Sequence, residues 1–470
     1  MKRAMIELAT WDATETAEHL RNHDVSPKEV VEAAIGRAQQ LEKLGAIVTP
    51  TFERALEHAK RLEGQMLSDQ PFGGVPSAVK DLANVAGVKT GFGSRAAGPT
   101  PPKKNDPFVN EFEKIGFISL GKSATPELGL TATTEPLGAP PCRNPWDTTR
   151  TPGGSSGGAA SLVVSGILPI AHASDGGGSI RVPAACCGLV GLKVTRGRFD
   201  MEASRLLPVN IATHGVVSRT VRDTVAFWNA LSKLVPKKSM PSMIPTAPAP
   251  ASSLKIGLYT QTPDNSPIDA EFKQAALDAG KLCESLGHHV QLIPCPVKFE
   301  FIDDFIRYWS FVAWAQAGTM KALAHPEFDK SKIDPWTKGL SHRFASEKLK
   351  GAGSTYRLMT QQQSFLSVFE KFDVVLSPTI AVPPPRVGDL APDVDFETKL
   401  TRLRGFVPFT PPYNVTGAPA ISLPLSRTSS GLPIGVQFGA NRGNERVLLE
   451  LALQLEAAKP WPRIADVKFN

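Results

Sequence analysis

Residues 150–193 read RTPGGSSGGAASLVVSGILPIAHASDGGGSIRVPAACCGLVGLK. Two glycine-serine clusters, GGSSGG at 153–158 and GGGS at 176–179, stand on either side of an apolar run. Glycine weakens a helix or strand by about 0.5–1 kcal/mol relative to alanine. Seven glycines and three serines in two short clusters therefore call for a reason beyond packing. Nucleophilic chemistry supplies one, because an attacking serine needs a base within hydrogen-bond reach and donors for the oxyanion that develops. In DGGGS, Ser179 follows three residues without side chains, and successive amides of that kind curl into a nest for a negative oxygen. GGSSGG offers further hydroxyls on a loop able to pack closely. A base other than histidine is available in GVPSAVKD, where Lys80 ends an apolar run; a lysine desolvated there loses its charge near neutral pH.

Outward from this stretch, short apolar runs alternate with helical patterns. GVPSAVK, GFISLGK, ILPIAHAS, LKIGLYT, HVQLIPC, DVVLSPT, APAISLPL and IGVQFG read as strands, and their alternation with helices predicts an α/β sheet covered on both faces. The first 70 residues read as helical. Ser26-Pro27-Lys28-Glu29 forms a capping box with proline at the first helical position, and TFERALEHAKRLEGQML is a second amphipathic helix. Residues 235–253, VPKKSMPSMIPTAPAPASS, have the composition of a linker. FEFIDDFIRYWSFVAWAQAGTMKAL, 299–323, reads as a long aromatic helix. Its six aromatics, Phe301, Phe305, Tyr308, Trp309, Phe311 and Trp314, cannot all face one core. Packing on the sheet is their default role, and those left over would line an apolar pocket.

The 470 residues include 52 basic and 45 acidic side chains spread along the chain, without a basic tract that would favour nucleic acid or an anionic membrane. PKK and KSKIDPWTK are too short. Cys142, Cys186, Cys187, Cys283 and Cys295 are odd in number and lack zinc-site spacing. No window is long and apolar enough for a membrane span, and MKRAMIELATWDATETAEHL lacks the apolar core of a signal peptide. The expectation is a reduced, cytoplasmic protein.

Two other motifs compete for the glycines. GFISLGKS, 116–123, matches the phosphate-loop pattern, but its middle residues read as a strand and Pro126 follows too soon for a helix. G-x-S-x-G occurs twice in GGSSGG, with His172 and His214 downstream as partners. The preceding CRNPWDTTRTP, however, is made of turn formers rather than a buried strand.

GVPSAVKDL, GKSATPELG, RNPWDTTRTPGGSSGGAA, SDGGGSIRVPAACCGLVGLKVTRGR and PYNVTGAPAISLP together resemble the amidase signature family, in its order and approximate spacing. The likeness covers most of the chain and is strongest over about 72–220. It implies one α/β/α domain spanning 1–470 around a large mixed sheet. It also implies a Ser-cisSer-Lys triad in which Ser179 is the nucleophile, Ser155 the bridging serine after a cis peptide, and Lys80 the base. The amides of Gly176, Gly177, Gly178 and Ser179 would form the oxyanion hole. Asp175 and Arg181 would brace the loop, with Ser156 close by. Gly176 departs from the family, where a side chain usually stands. The implied activity is hydrolysis of a small-molecule amide through an acyl-enzyme, with no metal or organic cofactor, and a homodimer is compatible with it. The alternative within the family is a glutaminase subunit of a tRNA-dependent amidotransferase. The segments FTPPYNVTGAPAISLP and GNERVLLELALQLEAAKPW instead resemble stand-alone amidases of the group containing 6-aminohexanoate cyclic-dimer hydrolase. A non-catalytic binding protein on the same scaffold is disfavoured by the retained Lys80, Ser155 and Ser179.

Overall fold

The computed structural model describes residues 9–469 apart from 66, 68, 237, 238, 324 and 361. The first eight residues of the amino-terminal segment, and the two lysines of the PKK at 236–238, thus lie outside the described residues. β1 (Ile47–Pro50), β2 (Pro76–Lys80) and β3 (Ile118–Ser123) form a three-stranded sheet in the order β1-β3-β2. The remaining strands are β4 (Ile170–Asp175), β5 (Val190–Lys193), β6 (Thr213–Ser218), β7 (Lys255–Leu258), β8 (His289–Leu292), β9 (Val374–Pro378), β10 (Ala420–Arg427) and β11 (Pro433–Ala440). They form one mixed sheet in the order β4-β6-β5-β10-β11-β9-β7-β8. β7 runs parallel to β8 and β9, and the other pairs are antiparallel.

β2 lies alongside β4 at the end of the large sheet. There the Ser77 hydroxyl donates to the Ile170 carbonyl at 2.9 Å and the Lys80 amide to His172 Nδ1 at 3.2 Å. All five residues of β2 and all six of β4 are buried, as continuous apolar runs require of strands covered on both faces. Helices Val221–Leu234, Ala270–Ser285 and Glu445–Ala458 pack on one face of the large sheet and Arg181–Cys187 on the other, giving the expected α/β/α arrangement. The Ser26 capping box forms as read, with Ser26 and Glu29 bonding each other's amides. The reading of the first 70 residues as helical is incomplete, because β1 intervenes between Pro27–Gln40 and Phe52–Leu62.

Six helices build the site: α1 (Gly157–Val164), α2 (Arg181–Cys187), α3 (Phe301–Leu323), α4 (Pro335–Ser346), α5 (Phe396–Phe406) and α6 (Pro411–Thr416). The aromatic helix α3 does not take its default role of packing on the sheet. Tyr308, Val312, Ala313 and Ala317 join Trp336 and Leu340 of α4, Leu358 and Leu400 in a second apolar cluster. That cluster stands apart from the main core, and the cleft opens beside it.

Candidate active site

Lys80 ends β2 fully buried, and its Nζ lies 2.7 Å from Ser155 Oγ, 2.8 Å from Ser156 Oγ and 3.1 Å from Ser174 Oγ. Among the described residues no carboxylate pairs with it. Burial drives its pKa down to about 7, against a smaller opposing pull from the charge of Asp175. Ser155 follows a cis peptide bond, Gly154–Ser155, and α1 starts two residues later. The Ser156 side chain does not cap α1, because it faces Lys80 and reaches the Ser174 carbonyl at 3.2 Å. Gly158 meets the Ala124 backbone so closely that a Cβ there would collide with it, which explains part of the first glycine cluster.

Between β4 and α2 the chain turns through Gly176, Gly177, Gly178 and Ser179. Asp175 organises this turn. Its carboxylate accepts from the amides of Gly178 (2.8 Å) and Ile180 (3.2 Å), from Arg181 Nε and Nη2 (3.0 Å each) and from Asn414 Nδ2 (2.8 Å). Burial alone would raise the Asp175 carboxyl, but the Arg181 guanidinium and the hydrogen bonds from Arg181 and Asn414 hold it well below the usual carboxylate range. Arg181 extends to the Thr410 carbonyl, Gln437 and Asn414, tying the turn to α6 and β11. Gly178 sits at φ +129°, and a Cβ would strike Thr410, whose hydroxyl donates to the Gly177 carbonyl at 2.7 Å.

The expected set of four oxyanion donors changes in one respect. The Gly178 amide is engaged by Asp175, so it holds the turn rather than facing a ligand. Among the described residues the amides of Gly176, Gly177 and Ser179 have no acceptor. Ser179, Gly177, Gly178 and Gly154 line a cleft of about 750 Å³. Its other walls are mostly apolar, with Leu130, Ile302, Phe305, Trp309, Trp336, Leu340 and Leu400 among them and, among the described residues, Arg404 the one charged side chain.

Both competing motifs fail on geometry. Lys122, in the phosphate-loop match, is buried within β3 and pairs with Asp81 at 3.2 Å and Thr90 at 3.1 Å. His172 is occupied at both ring nitrogens, by the Lys80 amide and by His214 Nδ1 at 3.1 Å. Burial, and then the neighbouring His214 and Lys80, push His172 well below its usual range; burial takes His214 down to about 3. The His172 nitrogens are thus already engaged, and burial disfavours the charged form of both rings.

Sequence reading missed Ser174, the third hydroxyl on Lys80, and Asn414, which braces Asp175. Strand periodicity carried a signal for the first, since alternate residues share a face and His172 and Ser174 both meet Lys80. Asn414 lay within PYNVTGAPAISLP, but nothing local to that motif links it to Asp175.

A buried lysine among hydroxyls thus lies beside free amides at the mouth of an apolar cleft. A family model described as Amidase matches residues 29–449. The protein named "Putative amidase AmiC" of Mycobacterium bovis is 40% identical over 462 residues, covering 97% of this chain and 96% of that one. The 6-aminohexanoate-cyclic-dimer hydrolase of a Pseudomonas species is 32% identical over 487 residues, covering 97% of each. The solved structure of 6-aminohexanoate cyclic dimer hydrolase complexed with substrate superposes with a TM-score of 0.86 at 30% identity, covering 98% of this chain and 99% of that one. The chain belongs to the amidase signature family. It is an amidase, acting on carbon–nitrogen bonds. Among the described residues no helix is long and apolar enough to cross a membrane.

Proposed function

We propose that the protein hydrolyses a carboxylic amide with an apolar acyl group, through an acyl-enzyme on Ser179, with Ser155 and Lys80 as its proton relay. The observation that carries this reading is the buried Lys80 amine at 2.7 Å from Ser155, with its pKa lowered to about 7. A neutral amine has two N–H donors and one lone pair. Ser156 Oγ already accepts from the Ser174 amide and reaches the Ser174 carbonyl, so toward Lys80 it accepts. With Nζ donating to Ser156 and Ser174, the lone pair is left for the Ser155 hydroxyl.

The steps follow. Ser155 passes its proton to Lys80 and takes one from Ser179 as Ser179 Oγ attacks the amide carbon. The amides of Gly176, Gly177 and Ser179 receive the oxyanion, a preorganised arrangement that needs no rearrangement as charge develops. Collapse expels the amine, which is protonated back along the relay. Water enters the same way and releases the acid. Asp175 and Arg181 act through the turn they hold rather than on substrate.

The glutaminase alternative fits the cleft poorly. A glutamine side of the substrate carries a charged amine and carboxylate, whereas the cleft walls are apolar and Arg404 is already paired with Asp303 at 2.7 Å and Asp264 at 3.4 Å. Ser179→Ala tests the assignment: kcat should fall to background while the thermal melt stays that of the wild type, and retention of activity within a few-fold would overturn it.

A further inference from the structure

Two tryptophans from different helices bond the same carbonyl. Trp309 Nε1 of α3 donates to the Leu130 carbonyl at 3.1 Å, and Trp336 Nε1 of α4 donates to it at 3.0 Å. Both rings line the cleft, as do Leu130, Thr131 and Ala132. A carbonyl oxygen has two lone pairs, so the two indoles saturate it and fix the helices to one point of the opposite wall. That wall is joined to the catalytic centre. A Cβ on Gly129, the residue before Leu130, would lie 3.3 Å from Ser155 Oγ.

The indoles are also held from their other sides. Trp309 stacks on Phe305 at 5.6 Å between ring centroids and 28° between planes. Its six-membered ring lies 3.7 Å from where a Cβ on Gly176 would stand and 3.8 Å from that of Gly177. It thus covers the turn that carries the free amides. Trp336 has Lys399 Nζ 4.8 Å from its ring centroid and the Phe396 ring at 5.1 Å.

Resting on the acyl-enzyme reading above, we infer that Trp309 and Trp336, clamped together on the Leu130 carbonyl, are the specificity-determining residues of the acyl subsite and shape it for flat, apolar acyl groups such as aryl or cyclic ones. Fixed indole planes favour an acyl group that stacks, and an apolar wall leaves a polar acyl end without partners, which a buried group tolerates poorly. Short acyl groups leave more of the apolar cleft unfilled.

The test uses 4-nitroanilides that share one amine and differ in acyl group: acetyl, butyryl, cyclohexanecarbonyl and benzoyl. Wild type should prefer benzoyl and cyclohexanecarbonyl to acetyl in kcat/KM. Trp309→Ala and Trp336→Ala should each lower the benzoyl-to-acetyl ratio at least about tenfold, the scale on which apolar pockets discriminate. Trp309→Phe and Trp336→Phe keep a ring but lose the bond to Leu130, and should shift the ratio in the same direction by less. These conservative variants carry the test if the alanine variants do not fold. A parallel series with benzoyl fixed and the amine varied should show the same variant-to-wild-type ratio throughout. A uniform fall across all acyl groups, or a selectivity change that follows the amine, overturns the inference while leaving the amidase reading intact. If the wild type turns over none of these amides and Ser179 takes no acyl group from any of them, the acyl-enzyme reading fails and this inference with it.

Discussion

Lys80 and Lys193 are both buried lysines whose pKa values burial brings down to about 7, yet their surroundings separate their roles. Lys80 Nζ meets three hydroxyls, whereas Lys193 Nζ donates to the neighbouring Val194 carbonyl at 2.8 Å and has no hydroxyl partner among the described residues. In the proposed relay the neutral amine is the base, so log kcat/KM should climb as pH rises through about 7 and then level off. Lys80→Met should remove that limb together with most activity, and Lys193→Met should keep it; the same limb surviving in Lys80→Met would contradict the relay. Stability should carry both residues. With folded values below the reference of about 10.4, the unfolded chain binds more protons between roughly 7 and 10.4, so stability rises with pH across that window. Urea melts at several pH values should show a shallower rise in Lys193→Met than in wild type. At this scale the sequence nominated Lys80, Ser155 and Ser179 through resemblance, and Lys80 and Ser155 lie in contact. Ser174 was not nominated, because its alternation with His172 marks a shared face but not what the neighbouring strand brings opposite it.

The turn from β4 to α2 is the element on which the site depends. One carboxylate, Asp175, receives three backbone amides of the turn, the Arg181 fork and Asn414, all of them buried. Removing one partner of a buried ion pair leaves an uncompensated charge and costs roughly 3–5 kcal/mol. Asp175→Asn should therefore lower the urea midpoint clearly and reduce kcat more than it raises KM, since the turn also presents the free amides. An unchanged melt would show that the network is not structural. Asp175 and Arg181 were expected to brace this loop, but the engagement of the Gly178 amide could not be read from GGGS, where four amides look equivalent. Eight strands were legible as apolar runs between helices. β1, β5 and β6 were not: β5 is four residues inside the glycine-rich motif, β1 is equally short between two strong helices, and β6 is interrupted by His214 and Gly215.

Across the whole molecule, the turn after β4 and a group of helices meet at one cleft, which Ser179 and the α3–α4 indoles both line. Sequence patterning indicated the sheet and its helices, while the place of α3 depended on contacts far apart in sequence, such as Trp309 with Leu130 across 179 residues, that no local pattern encodes. The molecule as assembled should turn over an apolar acyl amide with a kcat/KM at least tenfold above that for glutamine, about the discrimination expected of an apolar wall. Equal or better glutamine turnover, with a stably bound partner in a pull-down, would restore the amidotransferase alternative. The account's central claim is that Ser179 carries the acyl group, and acid quenching during turnover of a benzoyl ester followed by peptide mass mapping tests it most directly. The account predicts a benzoyl mass on the peptide containing Ser179, absent in Ser179→Ala and accumulating more slowly in Lys80→Met. A benzoyl mass on Ser155 or another residue, or hydrolysis that persists in Ser179→Ala, would contradict it.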